Sequence, residues 1–263
     1  MIEPERALPS GYGLSVLLSV DSTMLEAERR AAAGASDGCI VLAHEQTAGR
    51  GRRGRVWSTP PGNLAFSILL RPDCGLPTAA LFGFVCGLSL FEAVRPYIPV
   101  DRHLAVKWPN DLLLDGAKLS GLLLESHSSS QGELEWLVAG MGVNLAWAPK
   151  DMPYPAIALS DVLAAAPSAE SLTIDWAWRF VRWRAALEDQ GFEPVRAAWK
   201  AAAVGLGGPL TARLADGTVL NGRFQDLDEN GALLLSLPGE RLPRTVTAGE
   251  VYFPKEMSAA ASH

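Results

Sequence analysis

Apolar residues fall along this chain in short runs cut by glycine, proline and Asp-Gly or Asn-Gly pairs. That pattern predicts strands mixed with helices as far as about residue 203 and strands alone beyond it. Residues 14–20 read as a strand, after which Asp21-Ser22-Thr23 supplies N-cap chemistry for a helix to about Ala33, stopped by Gly34. Residues 39–43 and 63–70 read as two more strands, so the polar, glycine-rich segment between them is held at both ends. Thr78 caps a helix through about Arg95, which Pro96 and Pro99 end. Strands at 112–114 and 118–125 are joined by the Asp115-Gly116 turn, and another strand covers 135–140. Beyond a Pro- and Ala-rich stretch at 149–167, Thr173 opens a helix in which Trp176, Phe180, Trp183 and Leu187 recur at helical spacing. That stripe reads as core packing. A second helix covers 193–203.

From Gly205-Leu206-Gly207-Gly208 onward the pattern changes to alternating strands at 210–214, 219–227, 232–237 and 245–253, turned by Asp216-Gly217 and Asn230-Gly231. They predict a small separate β-barrel of about 50 residues, the size of a compact accessory domain. The domains expected are 1–203 and 204–263, with Ser258 to His263 a frayed tail.

A length of 263 residues, 48% of them hydrophobic, suffices for a sizeable core. A net charge of −6 argues against general nucleic-acid binding. The apolar run 79–94 is short for a bilayer span and is broken by Glu92, while the opening MIEPERALPSGYG has no signal-peptide core. Cys39, Cys74 and Cys86 lie far apart, with neither CxxC nor zinc spacing. A cytoplasmic protein without a structural metal is expected.

Against that acidic background, Gly49-Arg50-Gly51-Arg52-Arg53-Gly54-Arg55, followed by Trp57, concentrates cations in one loop. Guanidinium forks match phosphate and carboxylate oxygens, each charge-assisted bond contributing about 1.5–3 kcal/mol. Taken alone, the loop reads equally well as a solvated basic turn. Lys107-Trp108-Pro109-Asn110-Asp111 adds a cation, an amide and a carboxylate around a bend, with Asn110 suited to a base edge and Asp111 to a metal or an amine. Lys118 opens the next strand, Gly121 leaves room for a ligand, and Gly140-Met141-Gly142-Val143-Asn144 pairs close backbone approach with one amide. No His sits in a recognisable pairing with Ser or Cys, and the glycine-rich loop lacks the GxxxxGK[ST] order. The economical reading is a nucleotide-dependent ligase that works by positioning and electrostatics.

Taken together, Asp21-Ser22-Thr23, Gln46 with the arginine loop and Trp57, Lys107 to Asp111, Lys118-Leu119-Ser120-Gly121 and Gly142-Val143-Asn144 resemble the bacterial biotin protein ligases in order and spacing. The resemblance implies an α/β (α+β) fold, a mixed-sheet catalytic domain of the biotin/lipoate ligase type followed by a Src-homology-3-like barrel. It implies ATP and biotin as substrates, Mg2+ as cofactor, and a biotin carboxyl carrier protein domain as the acceptor partner. Carried over by position, Ser22, Thr23 and Gln46 would hold the ureido head. The loop residues Gly49, Arg50, Gly51 and Arg52 would close over carboxylate and phosphates, with Trp57 near the adenylate. Lys118, beside Gly121, would bridge carboxylate and α-phosphate, Asn110 and Asn144 would read the adenine near Gly142, and Asp111 would assist Mg2+ or the acceptor amine. Lys118, Arg50 and Asp111 are the catalytic candidates. Met24 departs from the Asn usual in the family. Few residues precede the first strand, so the monofunctional form without a DNA-binding domain is expected, with no DNA or membrane partner and with a homodimer through the sheet edge as one assembly. A lipoate or octanoate ligase shares the architecture, but the Arg-x-x-Gly-Gly-Gly character is missing here. An RNA-binding arginine-glycine element would want interleaved aromatics, which this single stretch lacks.

Overall fold

A mixed sheet of seven strands organises the first part of the computed structural model, which describes residues 7–253. Its strands are β1 (Gly13–Leu17), β2 (Cys39–Ala43), β3 (Leu64–Leu70), β4 (Leu104–Lys107), β5 (Asp111–Leu114), β6 (Ala117–Ser128) and β7 (Leu134–Val143), in the spatial order β1-β2-β3-β7-β6-β5-β4. Helix α1 (Thr23–Ala32) crosses between β1 and β2, which therefore pair parallel, while every other pairing is antiparallel. Alternate residues of β2 and β3 serve opposite faces. Val41 and Leu69 pack with Met24, Ala27 and Ala31 of α1, whereas Ile40, Leu42, Phe66 and Ile68 enter the main core.

The main core is closed by α2 (Leu76–Val94) and α3 (Ala169–Gln190). Helix α2 is long and apolar enough to cross a bilayer, yet Phe82, Val85, Cys86 and Leu88 are buried between the sheet and α3. The aromatic stripe of α3 packs inward as expected: Trp176 stacks on Phe180 at 4.8 Å and meets Phe66 edge-on at 4.9 Å.

Several boundaries differ from expectation for local reasons. Strand β1 ends at Leu17, and Val20 makes only an isolated bridge to Gln46 as the chain bends. Ser22 occupies the N-cap of α1 without a side-chain cap bond. Gly75, not Thr78, precedes α2, and Ser168, whose hydroxyl accepts from the Ser171 N–H, caps α3, which starts at Ala169, four residues before Thr173. Strand β4 was not foreseen because four residues show no period; its partner β5 defines it, through pairs such as Lys107 with Asp111.

Helix α4 (Glu193–Ala202) leads to a second, antiparallel sheet: β8 (Pro209–Arg213), β9 (Val219–Leu227), β10 (Leu233–Ser236), β11 (Arg244–Val246) and β12 (Glu250–Tyr252), in the order β11-β10-β9-β8-β12. The run expected as one strand at 245–253 is thus two strands at opposite edges, and the expected tail, Ser258 to His263, lies outside the described residues. This small sheet of Src-homology-3-like type shares the main core, through Leu210, Phe224 and Leu233. The Trp108 Nε1–H donates to the Gly231 carbonyl at 3.0 Å, Arg196 donates to the Leu227 carbonyl at 2.7 Å, and Lys200 pairs with Asp226 at 2.6 Å. Val204 donates to Val106 at 2.9 Å, so the link between the sheets covers the edge at β4, while among the described residues no strand covers the edge at β1.

Gly231 has φ +77, and a Cβ there would run into the Phe84 ring. Gly231→Ala should therefore lower stability by about 2–4 kcal/mol, read as the shift in urea midpoint, because backbone strain and overpacking add.

Candidate active site

One cross-sheet row of residues builds the site. Lys107 pairs with Asp111, Asp111 with Gly121, Gly121 with Gly142, Gly142 with Ala65 and Ala65 with Ala43. Residues paired directly across strands share a face. That face is consequently charged at the β4 end, bare in the middle and small beyond. Over the bare stretch opens a cleft enclosing about 1120 Å³, including space open to solvent.

The segment after β2 forms a flap over this cleft. Gln46 bridges Thr59 and Arg50 bridges Val56, while Gly51 donates to the Arg55 carbonyl at 2.7 Å and Trp57 to the Gly49 carbonyl at 2.9 Å. A Cβ on Gly49 would overlap the Trp57 carbonyl, so this glycine closes the hairpin rather than admitting a ligand. Trp57 lies on the glycine floor: a Cβ on Gly142 would overlap its indole, and one on Gly121 would sit 3.3 Å from it. The indole N–H is buried there and has no acceptor among the described residues.

Each flap arginine reaches a group of the body. The Arg50 guanidinium meets Glu125 at 2.9 Å and Glu28 at 3.1 Å, Arg52 donates to Asn110 Oδ1 at 3.0 Å, and Arg55 pairs with Glu250 of β12, which Arg53 also approaches at 4.0 Å. Burial holds Arg52 below its ordinary pKa despite the attraction of Asp111. Burial likewise pushes Glu125 up, against the pull of Arg50 and with the push of Glu28.

Lys118 stands beside the glycine floor. Its Nζ lies 2.7 Å from Asp111 Oδ1 and over the faces of Trp57 and Tyr154, at 5.8 and 5.4 Å. Asp111 Oδ1 receives no bond of good angle, so the contact is an ion pair rather than a directed hydrogen bond. At the other end lies a polar floor. Thr23 donates to Gln46 Oε1 through its N–H at 2.8 Å, and its hydroxyl shares a 2.8 Å bond with Ser67. Gln46 Nε2 donates to Thr59 at 3.0 Å, which fixes the carboxamide orientation.

Of the residues singled out in the sequence, Ser22, Thr23, Gln46, Arg50, Gly51, Arg52, Trp57, Asn110, Asp111, Lys118, Gly121 and Gly142 line this cleft. Gly49 and Asn144 do not. Asn144 is buried and donates its amide to the carbonyls of Lys118, at 3.3 Å, and Ile157, at 3.2 Å. Through that nitrogen it braces the strand that carries Lys118. Asn110 lines the cleft with both ends of its carboxamide engaged, one by Arg52 and the other donated to the Leu122 carbonyl. Sequence reasoning missed Tyr154 and Met152, which arrive on an aperiodic segment tied to β6 by the Lys118 N–H bond to Pro155 at 2.8 Å. It also missed Glu250 and Tyr252, which reach the cleft from the second sheet.

The signature of the Biotin/lipoate A/B protein ligase family matches residues 16–144, and that of the Biotin protein ligase C terminal domain matches residues 205–253. A Biotin--[acetyl-CoA-carboxylase] ligase of Paracoccus denitrificans is 41% identical, the match covering 90% of this chain and 99% of that protein. One from Mycobacterium tuberculosis is 32% identical over 90% of this chain and 88% of its own length. Among solved structures, the biotin protein ligase from Aquifex aeolicus in complex with biotin and ATP superposes with a TM-score of 0.74 at 27% identity, covering 91% of this chain and 97% of that one.

Because a Cβ at position 142 and the indole cannot occupy the same space, Gly142→Ala should lift Trp57 and with it the flap. Trypsin cleavage at the flap arginines should then rise about tenfold, the equivalent of about 1.4 kcal/mol of lost docking. Unchanged cleavage kinetics would show that the indole does not hold the flap down.

Proposed function

Since the chain belongs to the biotin/lipoate A/B protein ligase family, we propose that it is an ATP-dependent biotin protein ligase. It joins biotin to ATP as biotinyl-5′-AMP with release of pyrophosphate and then transfers biotin to a lysine of a biotin carboxyl carrier protein. The observation that carries this reading is the cleft itself, with a polar floor at Thr23 and Gln46, the Lys118 ammonium beside the glycine floor, and an arginine flap above both.

The polar floor suits the ureido head of biotin: Gln46 and Thr23 offer donors and acceptors in fixed orientation, and Ser22 lies beside them. The valeryl carboxylate would then extend along the glycine floor towards Lys118. In the first step a carboxylate oxygen attacks the α-phosphorus, and the bond to the bridging oxygen of pyrophosphate breaks. Two anions must meet. At an effective dielectric near 20, unit charges about 4 Å apart repel by roughly 4 kcal/mol, a cost that one fixed cation can offset. Lys118 is the group at hand, and its ion pair with Asp111 holds the ammonium in place. Arg50 and Arg52 close the flap over the same region, and water exclusion preserves the mixed anhydride. In the second step the acceptor amine attacks the acyl carbon and AMP leaves, with proximity as the main contribution.

No cluster of three or more metal-ligating side chains exists among the described residues. One carboxylate in the cleft nevertheless fits Mg2+, which characteristically takes one or two protein carboxylates together with substrate phosphates. Asp111 would be that donor, and the ion would neutralise the departing pyrophosphate. Residues 1–203 are taken as the catalytic domain and 204–263 as the barrel domain. The acceptor protein, rather than DNA or a membrane, is the macromolecular partner in this reading, which the net charge of −6 supports, and three free cysteines suit a cytoplasmic location. A homodimer, if formed by sheet extension, would use the open edge at β1.

Biotin, and not lipoate, should support ATP-pyrophosphate exchange; the reverse result would overturn the substrate assignment. Lys118→Ala should lower that exchange by about 10²–10³-fold with thermal melting preserved, the scale of losing one transition-state charge partner. An unchanged rate would place the essential cation elsewhere. Arg52→Gly should release biotinyl-AMP early and raise indiscriminate lysine labelling, measured as self-biotinylation, because a flap without its bond to Asn110 closes poorly.

A further inference from the structure

Two carboxylates line the cleft among the described residues, Asp111 and Glu250. Asp111 is matched by Lys118. Glu250 stands on β12 of the second sheet and crosses to the flap, where Oε1 takes the Arg55 guanidinium and lies 4.0 Å from Arg53. Its other oxygen accepts the Tyr252 hydroxyl at 2.7 Å, which fixes the carboxylate towards the flap. The side chain is 21% exposed, so solvent screens it only in part.

A fixed anion on the flap arginines opposes the binding of a polyphosphate, because both compete for the same guanidinium groups. On the reading given above, the cleft nonetheless binds ATP and later holds biotinyl-AMP, which lacks the β- and γ-phosphates. We propose that Glu250 is an exchangeable clasp. It yields Arg55 and Arg53 to the phosphates when ATP binds, and it takes them back when pyrophosphate leaves. The flap is thereby held over the adenylate until the acceptor lysine arrives. Glu250 is a positioning residue, acting through the flap arginines, and it gives the small C-terminal sheet a part in retaining the intermediate. The competition sets ATP affinity against adenylate retention: whatever weakens the clasp tightens the first and shortens the second.

Two variants of the full chain test this. Glu250→Gln removes the charge with little change in shape, and Tyr252→Phe removes only the hydroxyl that orients the carboxylate. ATP affinity is read by calorimetry. Adenylate lifetime on the protein is read in a single turnover with biotin and ATP, with pyrophosphatase present. The expected result for Glu250→Gln is ATP binding about three- to tenfold tighter and an adenylate lifetime shorter by a similar factor, the scale of one partly screened ion-pair network. Tyr252→Phe should move both in the same directions by less. A merely structural role would weaken ATP binding and shorten the lifetime together, and that result overturns the clasp. Unchanged adenylate lifetime in Glu250→Gln, or an altered Mg2+ requirement with unchanged flap release, also overturns it. If the unaltered chain forms no biotinyl-AMP, the ligase reading falls and the clasp with it; if it does, these outcomes concern the clasp alone.

Discussion

Opposite one another on adjacent strands, Gly121 and Gly142 leave the backbone bare between the charged end of a cross-sheet row, at Lys107 and Asp111, and its small end, at Ala65 and Ala43. Only on such a floor can an indole and an ammonium group come down to the sheet together. Trp57 uses the space directly, and Lys118, three residues before Gly121 on the same strand, reaches over it to Asp111. The antiparallel pairing that sets this row also fixes the distance between cation and polar floor. Register, rather than any one side chain, therefore decides where two anionic reactants can meet.

Charge on the flap has a second consequence. Four arginines within six residues repel one another, and a flexible loop would spread them into solvent. Here the repulsion is met by carboxylates and an amide drawn from α1, β6, the corner before β5, and β12. Individually, exposed pairs of this kind contribute little. Jointly they dock one hairpin to both sheets, so closing the flap is a property of the whole chain and depends on how the small sheet sits. That seating is firm because Trp108, one residue after Lys107 in the row, gives its indole N–H to Gly231 of the small sheet.

Much of this was legible in the residue order. The alternation of β2 and β3, the Asp115-Gly116 turn, the aromatic stripe of α3 and the arginine-glycine loop carried local signals strong enough to place them. The cleft residues from Ser22 to Gly142 were legible because their spacing matched a known family, not because any of them alone implied chemistry. What could not be read depends on contacts remote in sequence. Four residues of β4 become a strand only by pairing with β5, and Glu250 reaches Arg55 across 195 positions. The carbonyl contacts of Asn144 were hidden for a related reason. An amide beside a glycine-rich strand suits a base edge as well as it suits backbone carbonyls, and the path of residues 155–157 is what brings the Ile157 carbonyl to its nitrogen.

Met24 shows how a departure from the family can be absorbed. The usual Asn at this position would bring a carboxamide between α1 and the sheet, where a Cβ on Gly140 would come within 2.7 Å of the Met24 sulfur and within 3.2 Å of the Ser67 hydroxyl. Ser67 is already engaged by Thr23, and on its buried side Met24 belongs to an apolar cluster with Ala27, Ala31, Val41, Leu69 and Val138. A carboxamide turned into that cluster, away from the cleft, would lack partners for most of its hydrogen-bonding groups, at a cost of about 1–3 kcal/mol. The thioether instead fills the gap above Gly140 and belongs to both the α1 core and the cleft wall. Hydrogen bonding at this end of the cleft accordingly rests on Thr23 and Gln46, whose orientations are set from behind by Ser67 and Thr59, and the departure at position 24 leaves that pair untouched.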